Sequence, residues 1–349
     1  MQIQHIALYE SRTGIPLLVA SDSIHGFGTV YPHPFNLSCS WDTSLVKDAA
    51  ALSAMFGSYN NIHLAFIPMA SITRDPRWTG TMKGFGEDPM LASLLSKAVV
   101  YGMQGKGIEN EESMAACATN YVGPGNSFGE GNFRHDWIPR VELRNFYLPP
   151  FKALTEVGIS AIMVSNGAIN AIPIGTNKCL LKKILEEEWG FNVIVMSGSM
   201  RSLVNNISTN FENVTISSIH AGIDMEVQSN FHQNNLAKLL NEGKIKQVVI
   251  DNALRDILRI KSRMKLENRV NRDTSGDERQ WPQAFYNLSK KLSDQSTVLL
   301  KNNNNLLPLS RTINSISIYG ATANEKQIIN NPFGFLLDSV KSPVDAIQE

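Results

Sequence analysis

Cysteine is scarce in this chain of 349 residues: Cys39, Cys117 and Cys179 are three in all, widely spaced and not in pairs. A disulfide framework and a cysteine-built zinc site are thereby excluded, and buried free thiols are expected. Net charge is missing too, with 32 Lys plus Arg against 32 Asp plus Glu. The basic residues form no stripe, so a surface for phosphate backbones has no electrostatic footprint and no nucleic-acid partner is expected. No apolar run is long enough to span a bilayer, and the opening MQIQHIALYESRTG has no basic segment leading into a long apolar one. Neither a membrane span nor a signal peptide is expected. Metal spacing is absent as well: His25, His33, His63 and His135 stand apart from other ligand types in any recognisable pattern, so no metal and no other cofactor is expected.

What the chain does have is 43% hydrophobic residues, ample for a large core. Strand-like apolar runs fall at Ile15 to Ser21, His63 to Met69, Met114 to Val122, Ala161 to Ser165, Val193 to Ser197 and Ile223 to Val227. Between them, apolar residues recur at helical spacing over Thr43 to Phe56, Met90 to Gln104, Glu142 to Val157, Lys178 to Glu187 and Asn234 to Leu240. Gln247 to Leu266 reads as a longer helix with Arg and Lys on a solvated face. Alternation of this kind predicts a parallel α/β fold. Glu267 to Gln283 turns polar and reads as a linker.

The stretch Arg74 to Pro89, RDPRWTGTMKGFGEDP, follows the buried-strand run and must be a loop. Taken alone it reads as a solvated segment in which Arg74, Asp75, Glu87 and Asp88 pair among themselves around Trp78. Its wording, however, resembles glycoside hydrolase family 3, in which RDPRWGR and EGFGEDP follow a strand ending in PM. IPLLVASDSIHG (Ile15 to Gly26), LPPFKA (Leu148 to Ala153), LEEEWGFN (Leu185 to Asn192), AGIDMEV (Ala221 to Val227) and STVLLKNNNNLLPL (Ser296 to Leu309) continue the resemblance in the family's order. It implies a (β/α)8 TIM-type barrel over residues 1–265, lacking its first strand, then an interdomain linker over 266–309. Residues 310–349, with SISIYG at Ser315 to Gly320, would be the start of a second α/β domain. An open barrel implies two unpaired sheet edges.

The resemblance also implies a chemistry, β-glucosidase-like hydrolysis of terminal β-glycosides with a β-linked glycoside or monosaccharide as ligand. A retaining glycosidase needs two carboxyl groups about 5 to 5.5 Å apart. The family's nucleophile is an aspartate after a strand in the pattern VVSDW, which aligns here with VIVMSGSM and puts Gly198 at that position and Ser199 where an aromatic residue is usual. Glycine has no side chain with which to attack. The acid/base of the β-glucosidase branch lies in the second domain, and that of the N-acetylglucosaminidase branch aligns with Pro124 and Asn126. The family's sugar-gripping Lys-His pair corresponds to Thr119 and Asn120, its second Arg to Gly80, and Ser71 and Lys83 replace family acids. Asp22 alone remains as a sugar-binding candidate, with helix or turn capping as its other reading. Glu87, Asp88, Asp224 and Glu226 are the carboxylates a displaced mechanism would draw on. Three readings follow: a hydrolase by ancestry, a non-catalytic carbohydrate- or protein-binding barrel, and a decayed fragment without function.

Overall fold

The computed structural model describes residues 2–78, 80–122, 135–200, 210–269, 281–310, 312–325 and 341–348. Six strands form one all-parallel sheet in the order β1 (Ala20–Ser21), β2 (Leu64–Ala65), β3 (Ala115–Tyr121), β5 (Ala161–Val164), β8 (Ile194–Ser197) and β9 (Met225–Glu226). A three-stranded side sheet joins β4 (His135–Asp136), β6 (Ala168–Ile169) and β7 (Ile172–Pro173). The main sheet is curled into a half-barrel, as the sequence leads one to expect of a TIM-type α/β fold, and β1 and β9 are its edges.

The strands are apolar without alternation because both faces are buried, as in other parallel sheets. Along β8, Val195 faces the large cluster built with the crossover helices, whereas Ile194 and Met196 face a second cluster on the other side. Thr43–Tyr59, Pro89–Gln104, Pro149–Glu156 and Cys179–Glu188 are the helices that cover the first face. Two of them start on aspartate caps: Asp42 Oδ1 accepts from Leu45 N at 2.9 Å and Asp88 Oδ1 from Leu91 N at 2.7 Å, with Pro89 opening the second helix. Across the sheet, Ile257 and Ile260 of the Gln247–Arg263 helix pack with Met264 against Leu64, Cys117 and Met196. Lys261 Nζ of this helix donates to Pro16 O at 2.8 Å, tying it to the segment that leads into edge strand β1.

The thiols depart from the sequence reading. Of the three free thiols only Cys117 is buried; Cys39 and Cys179 are exposed, because each stands at a helix terminus with its side chain turned outward rather than on a packed strand. SISIYG pairs with no strand among the described residues, and Ile316, Ile318 and Tyr319 are exposed. The stretch around the expected linker is packed in part. Leu266 and Arg269 are buried, the Arg269 guanidinium donating to the carbonyls of Ile108 and Asn110 at 2.7 Å and of Ser113 at 3.1 Å. The Trp281–Ser296 helix inserts Phe285 and Leu292 into the larger cluster, with Phe285 edge-on to Phe56 at 5.5 Å.

Candidate active-site rim

Because all six strands run the same way, their C-terminal ends open on one rim, where Asp22, the Phe66 to Lys83 loop, Asn120, Asn166, Gly198 and Val227 emerge. Polar side chains gather there in pairs. Asp22, directly after β1, is half-buried; desolvation raises its carboxyl above the usual range, and the Lys83 ammonium opposes that rise. Lys83 belongs to the short Thr81–Lys83 turn of the loop, so a residue read as a lost acid has become the counter-charge of the retained one. Beside them His25 and His33 meet edge to face, ring centroids 4.3 Å apart. Burial lowers both imidazole pKa values, and for His25 the charges of His33 and Lys83 add to the effect.

A second pair lies between the ends of β2 and β3. Asn120 Nδ2 donates to Ser71 Oγ at 2.7 Å, and Ser71 Oγ donates to Asn120 O at 3.0 Å. Asn120 adopts φ +63°, a left-handed conformation its short polar side chain tolerates. Two of the positions read as replaced, on chain segments far apart in sequence, therefore satisfy each other. Thr119 is held by its backbone, its N–H donating to Pro68 O at 2.9 Å.

Gly198 follows β8 and directs the place of a missing β-carbon at the exposed amide of Asn166, 3.0 Å from Oδ1. Ser199 comes next in the same turn, and Met200 N donates to Ser229 Oγ at 3.2 Å, anchoring it. Ser229 in turn donates to Glu226 Oε2 at 2.8 Å, while His232 N donates to Glu226 Oε1 at 2.8 Å. Glu226 is thus bound into the start of the Phe231–Asn241 helix. Asp88 is a helix cap, and Asp224 accepts from Val195 N at 2.8 Å beside Asn192 and Val193, at the opposite, N-terminal ends of the strands. Glu87 is exposed.

Within the signature loop an ion pair joins Asp75 to Arg77, and among the described residues Arg74, Glu87 and Asp88 are not joined to it as the sequence reading has them. Arg77 forks onto Asp75, Nε to Oδ1 at 2.9 Å and Nη2 to Oδ2 at 2.6 Å, and Arg74 lies over the Phe146 ring at 4.9 Å. The Trp78 indole occupies the space that a side chain at Gly80 would need. Pro124 and Asn126 lie outside the described residues. Asn166 was not singled out by the sequence reading; the SNGAIN that follows β5 marks a turn, and nothing in it signals that the amide would face Gly198.

Comparison with known proteins bears directly on this rim. Residues 1–260 match the glycosyl hydrolase family 3 N terminal domain. The chain belongs to glycosyl hydrolase family 3. It is 30% identical to the periplasmic beta-glucosidase of Salmonella typhimurium over 94% of this chain and 44% of that one. To a beta-xylosidase of Formosa agariphila it is 29% identical, over 90% of this chain and 47% of the other. Among solved structures, beta-glucosidase from Listeria innocua superposes with a TM-score of 0.84 at 31% identity, covering 88% of this chain and 44% of that one. The same enzyme in complex with glucose gives 0.83 at 32% identity, with the same coverage. The chain spans less than half the length of these family 3 relatives.

Proposed function

We propose that this chain is the barrel portion of a family 3 protein that recognises a terminal β-glycosyl unit without hydrolysing it. The observation that carries the reading is Gly198 at the end of β8, where the family resemblance calls for the nucleophilic aspartate: glycine has no carboxylate, and the nearest side chain among the described residues is the Asn166 amide, which cannot form a glycosyl ester. Asp22 is the residue proposed to hold a sugar hydroxyl, its burial beside Lys83 strengthening a hydrogen bond relative to water. Thr119, Asn120, Gly80 and Ser199 are proposed as positions from which family-type sugar contacts have been lost. Residues 1–265 are read as the barrel, 266–309 as the connection and 310–349 as the start of a second α/β unit. Glucose is the first ligand to try, since the Listeria innocua relative was solved with it, and xylose the second.

Two measurements on the purified chain test this. Nitrophenyl β-glucoside and β-xyloside are expected to give no turnover above buffer, and glucose or xylose is expected to raise the midpoint of thermal unfolding, because a ligand that binds only the native state stabilises it. Turnover abolished by Asp22→Ala would overturn the non-catalytic reading. A melt unmoved by either sugar would overturn the binding reading.

A further inference from the structure

Between the side sheet and the N-terminal half of the Cys179–Glu188 helix lies a cavity of about 300 Å³. Its floor is apolar: Leu143, Ile169, Leu180 and Ile184 are each buried and line it. Its wall is braced by Asn170, which accepts from Ile138 N at 2.9 Å and donates to Ile138 O at 3.1 Å. Three cations stand around it. Arg144 is engaged by Glu188, Nη2 to Oε2 at 2.7 Å. Arg140 and Lys183, both exposed, pair with no carboxylate among the described residues.

An apolar floor with two uncompensated cations at its mouth is complementary to a molecule with a hydrocarbon body and an anionic head. The volume is near the lower end of the range for small-molecule sites, about 300 to 1,000 Å³, and too small for a helix or a folded partner. We propose that this cavity binds a small amphiphilic carboxylate, its chain on Leu143, Ile169 and Ile184 and its head between Arg140 and Lys183. Nothing in this proposal depends on the glycoside reading. Neither Asp22 nor Gly198 lines the cavity.

Cys179 also lines the cavity and is exposed, which supplies a reporter. In the full chain carrying Cys39→Ser, Cys179 is the one remaining exposed thiol and Cys117 the buried one. Its rate of alkylation by iodoacetamide is measured with octanoate, with octanol and with neither. Octanoate is expected to slow the reaction saturably, and octanol much less. In Arg140→Gln/Lys183→Gln the protection constant is expected to weaken roughly tenfold or more, the cost of a lost charge-assisted hydrogen bond. Equal protection by octanol, or undiminished protection in the double variant, would make the cavity a plain apolar cleft and overturn the proposal. So would an absence of protection by octanoate. Should the double variant unfold, Cys117 becomes reactive and reports it, and the octanoate-to-octanol comparison on the parent chain still decides.

Discussion

A β-carbon placed on Gly198 would stand 3.0 Å from Oδ1 and 3.4 Å from Nδ2 of the exposed Asn166 amide, its nearest neighbours among the described residues. Gly198→Asp is therefore expected to fold, with Asn166 turning aside and a loss of stability within about 1 kcal/mol. The restored carboxylate supplies one of the two groups a retaining mechanism needs, and the nearest side chain among the described residues, the Asn166 amide, is no acid. Turnover of nitrophenyl β-glucoside is expected to stay at background in this variant. Hydrolysis appearing there would show that a proton donor lies elsewhere in the chain.

Asp22 and Lys83 make a second test, because two opposed effects set the Asp22 carboxyl: desolvation raises its pKa and Lys83 lowers it. Lys83→Met removes the lowering influence, so the Asp22 titration followed by NMR is expected to move further up. Asp22→Asn is expected to abolish any midpoint shift that glucose or xylose produces. An Asp22 titration unchanged by Lys83→Met would mean that the two groups are not in electrostatic contact in solution.

Gly80 tests the signature loop. Restoring the family-type side chain with Gly80→Arg drives a β-carbon to 2.6 Å from Cε2 of the Trp78 indole. The ring has to swing away, and overpacking of this kind costs about 1 to 3 kcal/mol. A lower unfolding midpoint and easier acrylamide quenching of tryptophan emission are expected. Unchanged quenching and midpoint would show that Trp78 leaves Gly80 free.

The fold was legible in the sequence where burial on both faces of a parallel sheet leaves uninterrupted apolar runs. All six predicted runs contain a strand of the main sheet, from Ala20–Ser21 to Met225–Glu226, though the ladder is shorter than the run in every case. The helix Phe211–Ala221 escaped because its buried side carries Thr215 and Ser218, and the helix Trp281–Ser296, with Phe285, Leu288 and Leu292 at helical spacing, because it adjoins a polar stretch. Individual rim positions such as Asp22 and Gly198 were legible through the family wording of their flanks. Their partnerships were not, since Ser71 with Asn120 and Gly198 with Asn166 are contacts between separate strand ends, which only the folded sheet brings together.

A buried imidazole and a half-buried carboxylate with opposite signs give the last expectation. His63 Nδ1 accepts from Val19 N at 3.0 Å, which demands a neutral ring, and desolvation followed by the nearby Arg269 charge pushes its pKa from 6.5 to about 4. Between those values the unfolded chain binds the extra proton and the native one does not, so His63 stabilises above about pH 6.5 and that stability is lost as pH falls toward about 4. Asp224 works the other way: desolvation, reinforced by Asp256 and opposed by the Val195 N–H, lifts its carboxyl from 3.8 to about 7. There the native state holds the proton, so stability is lost as pH rises from about 3.8 to about 7. The two slopes oppose each other between about pH 4 and 6.5 and mask one another in the parent chain. His63→Gln is expected to leave a stability curve that falls more steeply with rising pH across that window. Asp224→Asn, which keeps an acceptor for Val195, is expected to leave one that rises and to gain about 2 kcal/mol at alkaline pH. Urea unfolding over a pH series, read as the difference between variant and parent, separates them. A difference curve without slope for either variant would show that its side chain titrates alike in the folded and unfolded chain.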